Sequence, residues 1–214
     1  MRKVDMIFNS MVGKGKTDIY TLYDYLESDG RDQYIDTGMP ATDKTTISFD
    51  ISIANRATEI YIGNTVKSGS KFILQQMYSG PVFEINIDGV SQRIPKLRKG
   101  DIDTYVDWNS LTIGKNIHLV DFTGNEYDYV LTPSEFTTDG NIYLFANNGI
   151  DGAGLFAKCR MKPVKRYDNG VLTQFLHPAV RDSDGVAGML DLQTNTFHPN
   201  ANPAGDNFLY GNLT

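Results

Sequence analysis

Val164-Lys-Arg-Tyr-Asp-Asn-Gly-Val-Leu-Thr-Gln-Phe-Leu-His-Pro-Ala-Val-Arg-Asp-Ser-Asp-Gly-Val-Ala-Gly-Met-Leu-Asp191 decides the fold of this chain. It reads as a strand, an Asn-Gly turn, a second strand, an Asp-Gly turn and a third strand. These dipeptides tolerate the positive φ that two-residue hairpin turns require. Asp-Gly recurs at 29, 88, 139 and 151, and Asn-Gly at 148, which extends the same punctuation over most of the chain.

Upstream, Thr45-Thr-Ile-Ser-Phe-Asp-Ile-Ser-Ile53 alternates without a break. Ile47, Phe49, Ile51 and Ile53 share one face and Ser48, Asp50 and Ser52 the other, the pattern of a half-buried strand. Further strands are expected near Glu59–Ile62, Lys71–Met77, Val82–Ile87, Val90–Ile94, Thr104–Trp108, Asn116–Phe122, Glu126–Leu131, Ile142–Ala146 and Gly154–Lys165. Gln33–Gly38 is short and extended. Thr17–Leu26 fits either a helical face, through Ile19, Leu22, Tyr23 and Leu26, or a strand. Thr132–Phe136 could form one helical turn. Short strands with regular turns and almost no helix imply an all-β, antiparallel sandwich or jelly roll. No repeat or linker divides residues 18–214, so one domain is expected behind a short arm of residues 1–17.

The composition agrees. At 214 residues, 40% hydrophobic and 21% charged, the chain can bury a sizeable core. Its net charge of −6 argues against bulk nucleic-acid binding. The arm is different: Arg2, Lys3, Lys14 and Lys16 face one acid, Asp5, a net +3 that leaves −9 on the remainder. A basic arm on an acidic body can dock on an acidic neighbour. Met6, Ile7, Phe8, Met11 and Val12, with Lys14 and Lys16, are its candidate anchor residues. Cys159 is the only cysteine, so no intrachain disulfide forms, and it reads as a small buried residue. Val4–Phe8 is too short and too acidic for a secretion core, and no apolar run is long enough to span a membrane.

Few motifs point to chemistry. Gly13-Lys-Gly-Lys-Thr17 lacks the upstream glycine of a phosphate loop, since position 10 is Ser10. Glu84 and Asp88 share a strand face, but Asp88 opens an Asp-Gly turn, so the pair reads as a solvated edge and not as a glycosidase acid and base. Asp182, Asp184 and Asp191 could supply oxygens to calcium, although Asp-Ser-Asp-Gly is also an Asx-turn sequence. His118, His177 and His198 are not spaced as metal ligands. Sugars stack on exposed aromatic rings. Trp108 is the first choice for such a contact, with Tyr105, Tyr127 and Tyr129 beside it; the competing role for all four is core packing.

Three stretches taken together carry a resemblance. They are Tyr25-Leu-Glu-Ser-Asp-Gly-Arg-Asp-Gln-Tyr-Ile-Asp-Thr-Gly38, then Gly140–Gly149 followed by Lys158-Cys-Arg-Met-Lys162, then the opening stretch running on to Phe197. The chain resembles, over about residues 22–210, the concanavalin A-like, laminin-G-type jelly-roll domains of bacteriophage structural proteins and gut bacterial surface proteins. It departs from their pattern at Thr173-Gln174, where an Arg-Asp or Lys-Asp is usual, and at Met189, where a tyrosine is usual. The resemblance carries over no catalytic residue. It implies a non-enzymatic virion protein, made in the host cytoplasm without a signal peptide. Such a protein would decorate a capsid or associate with a fibre or tail, held to other virion proteins by its arm. The alternative it implies is a carbohydrate-binding or adhesin module of a bacterial surface protein. Host-surface glycans are then the expected ligand, with calcium as the cofactor to test for. Oligomeric state is left open by the sequence: an exposed edge strand or a packed arm could make a trimer or a larger ring, but neither is readable from the residues.

Overall fold

The computed structural model describes residues 18–54, 59–66, 70–77, 82–95, 97, 105 and 108–211. The candidate anchor residues Met6, Ile7, Phe8, Met11, Val12, Lys14 and Lys16 lie outside the described residues, as does the Gly13–Thr17 motif. Of the strand expected at Thr104–Trp108, only Tyr105 and Trp108 are described.

The described residues form strands and no helix. In chain order the first ten are β1 (Tyr20–Leu22), β2 (Leu26–Glu27), β3 (Ile35–Thr42), β4 (Thr45–Ile53), β5 (Ile60–Asn64), β6 (Phe72–Gln76), β7 (Phe83–Ile87), β8 (Val90–Ile94), β9 (Asn109–Ile113) and β10 (Asn116–Val120). The rest are β11 (Glu126–Val130), β12 (Thr137–Leu144), β13 (Asn147–Gly149), β14 (Gly152–Gly154), β15 (Cys159–Met161), β16 (Val164–Asp168), β17 (Val171–Arg181), β18 (Val186–Asp191), β19 (Thr196–Pro199) and β20 (Leu209–Tyr210). They build two sheets packed as a jelly-roll-like sandwich. The larger runs β11-β10-β9-β4-β16-β17-β18-β19, with β15 beside β4, β1 beside β17, and β2 between β15 and β20. The smaller runs β14-β13-β5-β6-β7-β8, with β12 linking β5 to β3. Pairing is antiparallel except for β13 on β5, which is parallel.

The core between the sheets follows from the alternation. Ile47, Phe49, Ile51 and Ile53 of β4 are buried while Ser48 and Asp50 face outward. Opposite them lie Tyr61, Phe72, Leu74, Phe83 and Ile85 of the smaller sheet, all fully buried. Each such side chain contributes roughly 1.5–3 kcal/mol by leaving water. Asp88-Gly89 and Asn169-Gly170 both take positive φ at their two residues, as tight two-residue hairpins demand.

Several expectations are corrected. Of the Thr17–Leu26 stretch, Tyr20–Leu22 and Leu26 resolve as strand, because β1 pairs with β17 and β2 with β15, while residue 17 lies outside the described residues. Those backbone partners outweigh a weak helical pattern. Thr132–Phe136 forms no helical turn; it is the connection, bent at Glu135, from β11 of the larger sheet to β12 of the smaller. Asp139-Gly140 and Asn148-Gly149 lie inside β12 and β13, not in turns. Gly140 is there because a Cβ would stand 2.8 Å from the Asn148 amide nitrogen. The expected strand Gly154–Lys165 is broken into pieces, and β9, β19 and β20 are additional strands.

Candidate binding face

The outer face of the larger sheet gathers the polar and aromatic side chains that the core excludes. On β4, Ser48 stands opposite Thr112 on one side and Lys165 on the other, and Asp50 stands opposite Ser110. Lys165 in turn faces Phe175 across β16 and β17. β15 and β16 follow the same flank of β4 but are parted at Lys162-Pro163. Proline has no N–H to donate and fixes its φ, and the ladder breaks there. The break leaves a shallow hollow of about 310 Å³, lined by Ser48, Asp50, Lys162, Pro163, Lys165 and Phe175.

Around the hollow, rings and cations alternate. The Lys165 ammonium lies 5.1 Å from the Phe175 ring centroid, and the Lys162 ammonium 4.5 Å from that of Trp108. Trp108 meets Tyr25 at 5.8 Å. The Arg160 guanidinium is stacked between Tyr25 and Tyr105, at 4.9 and 3.9 Å, and is ion-paired to Glu27 at 2.7 Å. Tyr25 is held against Gly211, where a Cβ would come within 2.2 Å of its ring. Burial, with the neighbouring Glu27 carboxylate, pushes the Tyr105 phenol far above its ordinary value, so Tyr105 stays neutral. Asp50 accepts the Ser110 hydroxyl and lies 4.0 Å from Lys162. Asp191 steadies the strand beneath Phe175. Its Oδ1 accepts the Phe175 and Gln193 N–H groups at 3.0 Å each.

The four aromatic residues picked from sequence do not converge. Trp108 and Tyr105 belong to this outer cluster, with Tyr105 covered by Arg160. Tyr127 and Tyr129 are on the opposite face of β11, packed against the core, and Tyr127 donates its hydroxyl to Asp121 at 3.3 Å. Alternation explains it, since Glu126, Asp128 and Val130 take the outward positions. The three carboxylates proposed for calcium are also apart. Asp182 and Asp184 sit at the β17–β18 turn and Asp191 at the far end of β18, about 16 Å along the strand. Asp184 pairs with Arg181 at 2.6 Å, Asp182 accepts the Thr21 hydroxyl at 2.9 Å, and Asp191 is buried. Among the described residues no group of three acids, histidines or cysteines could hold a metal.

Other candidates are placed as follows. Glu84 is on β7 and Asp88 in the turn after it, with φ 50°. Four residues of strand, about 13 Å, separate them, too far for the carboxyl pair of a retaining glycosidase. His118 pairs with Asp128 at 2.8 Å, His177 is pushed below its ordinary value by burial, and His198 Nδ1 lies 2.9 Å from the Asp36 carbonyl. Cys159 is fully buried in β15, its thiol pushed up by burial and by Glu59 and Glu27.

Residues that sequence reasoning missed make up the hollow itself: Lys162, Pro163, Lys165 and Phe175. The signal was present. Pro163 falls inside an expected strand, where a proline can break the pairing, although Pro178 shows that it need not, since it stays in register within β17.

No family model matches the chain, and no curated protein matches it. A solved structure from Bacteroides ovatus ATCC 8483, provisionally described as a carbohydrate binding protein, is similar in fold, with a TM-score of 0.51 at 12% sequence identity. The match covers 90% of this chain and 61% of that one, so this chain spans about three fifths of the neighbour's length. The likeness bears on the β-sandwich and not on the finer resemblance to phage structural domains.

Proposed function

We propose that the chain is a non-catalytic, lectin-like module that binds glycans on the outer face of its larger sheet. The observation that carries this reading is the hollow at the Lys162-Pro163 break, where an outward phenylalanine, two lysines, a serine and an aspartate converge beside Trp108. An apolar ring flanked by hydrogen-bonding groups is the pairing that sugar rings require. The fold neighbour's description as carbohydrate binding supports the same reading. The test is a broad glycan array, followed by titration of Phe175→Ala and Trp108→Ala. Loss of about tenfold or more in affinity, with unchanged circular dichroism, is expected for each. No binding across neutral and acidic glycans would overturn it, and release of sugar fragments on incubation would replace it with catalysis.

The setting we propose is a phage virion, with the concanavalin A-like module displayed outward and residues 1–17 attached to a capsid or tail protein. The charge contrast of +3 on the arm against −9 on the rest favours it, as does the motif resemblance. Deleting residues 1–16 should leave a folded sandwich that no longer joins its particle. Normal incorporation of the truncated chain would rule the arm out.

A further inference from the structure

Building on the glycan-binding reading, we infer that the hollow selects sugars carrying a negative charge, as carboxylate or sulfate, over neutral ones. The two rings best placed to receive a sugar are already covered by cations. Lys165 sits 5.1 Å from the Phe175 centroid and Lys162 sits 4.5 Å from that of Trp108. Contacts of this kind on an exposed surface are weak and can be exchanged. A neutral sugar that stacks on either ring has to push the ammonium into solvent and offers it little in return. A charged sugar does both jobs at once. Its carboxylate or sulfate draws the ammonium off the ring into a charge-assisted hydrogen bond. Its apolar face then takes the surface the lysine has left.

The charge around the hollow supports the same conclusion. Of its charged side chains, Lys162 and Lys165 are cationic and Asp50 is anionic. Asp50 is already engaged, by the Ser110 hydroxyl and by Lys162 at 4.0 Å. Lys165 is exposed and has no carboxylate partner among the described residues. Nearby Arg160 is closed off by Glu27 and two tyrosine rings, so it leaves the field to the two lysines. The net charge of −6 opposes an acidic ligand only at long range. At physiological salt, charges more than about 8 Å away are largely screened, and the two local ammonium groups decide the sign.

The experiment uses the full chain and four polymers: polygalacturonate, the same polymer after carboxyl reduction, heparin, and desulfated heparin. Affinity electrophoresis or calorimetry should show about tenfold tighter binding to one charged member than to its neutral or desulfated counterpart. Which pair responds identifies carboxylate or sulfate as the source of the charge. Lys165→Ala should bring the two affinities of that pair together. Equal affinities in the wild-type protein overturn the charge selection and leave glycan binding standing. No binding to any of the four polymers also overturns the charge selection, and the broad glycan array then decides whether glycan binding itself stands. Poly-glutamate is the control: if it binds as tightly as the charged glycans and survives Phe175→Ala, the face adsorbs polyanions without reading a sugar, and the inference fails.

Discussion

Two adjacent rungs of the β16–β17 ladder point in opposite directions and have opposite characters. Arg166 stands opposite Gln174 and both face the interior; Lys165 stands opposite Phe175 and both face outward. Inside, the polar groups are tied down except for Arg166 Nη1, which is buried without a partner. Arg166 donates through Nε to Asp168 at 2.8 Å and through Nη2 to the Pro40 carbonyl at 2.6 Å. Gln174 donates to the Thr37 carbonyl at 2.8 Å. Both carbonyls belong to β3, so the two residues fasten the larger sheet to the smaller. Outside, the Lys165 ammonium has only a ring beneath it. One residue step along a strand thus separates a cation bound into the seam between the sheets from one that makes only a ring contact among the described residues. The departure at Thr173-Gln174 fits this frame. Gln174 makes the inter-sheet bond, and Thr173 donates its hydroxyl to Asp168 at 2.6 Å.

The comparison predicts its largest effect at Arg166. Replacing it by Ala takes the cation from the Asp168 carboxylate and leaves the Pro40 carbonyl without its donor. The Arg166 side chain is buried but that of Asp168 is 25% exposed and keeps the Thr45 and Thr173 hydroxyls, so the cost should lie near the low end of the range for buried pairs, about 3 kcal/mol. Denaturant unfolding of Arg166→Ala should show a midpoint shift of that size with the slope unchanged. A shift under about 1 kcal/mol would mean that the seam is ornamental and that the two rungs do not differ as described.

Acid should dissolve the same seam. Burial opposes ionisation of Asp168, but hydrogen bonds from Arg166, Thr173 and Thr45 outweigh it and hold the carboxyl below its ordinary 3.8. A carboxyl depressed in the folded state contributes stability that is complete above its unfolded value and is lost as pH falls through the folded one. Stability should therefore decline on acidification below about pH 4, and Asp168→Asn should flatten that part of the curve. The same slope in wild type and variant would show that other carboxylates carry the effect.

How much of this was legible beforehand varies with the residue. The alternation of Thr45–Ile53 is a property of the local chain, so the faces of β4 could be read directly. The Asn169-Gly170 and Asp88-Gly89 hairpins were legible for the same reason, since positive φ is a local demand. Tyr127 and Tyr129 were not, because the turn before β11 fixes its register and thereby decides which face meets the core. The spacing of the three aspartates was a matter of scale: Asp182 and Asp191 are near in sequence, but an extended strand holds them apart. The hollow depended on a break in a ladder that a continuous-strand reading of Gly154–Lys165 erased.

Asp191 joins the two sides of the comparison and should show an intermediate effect. It is buried, and it accepts the N–H groups of Phe175 and Gln193 and the hydroxyl of Thr194. Asp191→Ala leaves those donors unmet and should cost about 1–3 kcal/mol. Because it frees the backbone under Phe175, glycan affinity should fall as well, although Asp191 is not part of the hollow. Lost stability with full affinity would separate the strand's folding from the site it carries.

Lys165→Ala should have the smallest effect on stability and is the sharpest test of the contrast. The ammonium is exposed, lies in no ion pair among the described residues, and makes one ring contact of the weakest kind. Its removal should change unfolding free energy by no more than about 0.5 kcal/mol. If the midpoint instead fell as far as in Arg166→Ala, Lys165 would be holding β16 on β17, and the outward rung would be structural like its neighbour. A near-zero change in stability, together with loss of preference for charged sugars, is the pairing that a residue kept for binding alone should give.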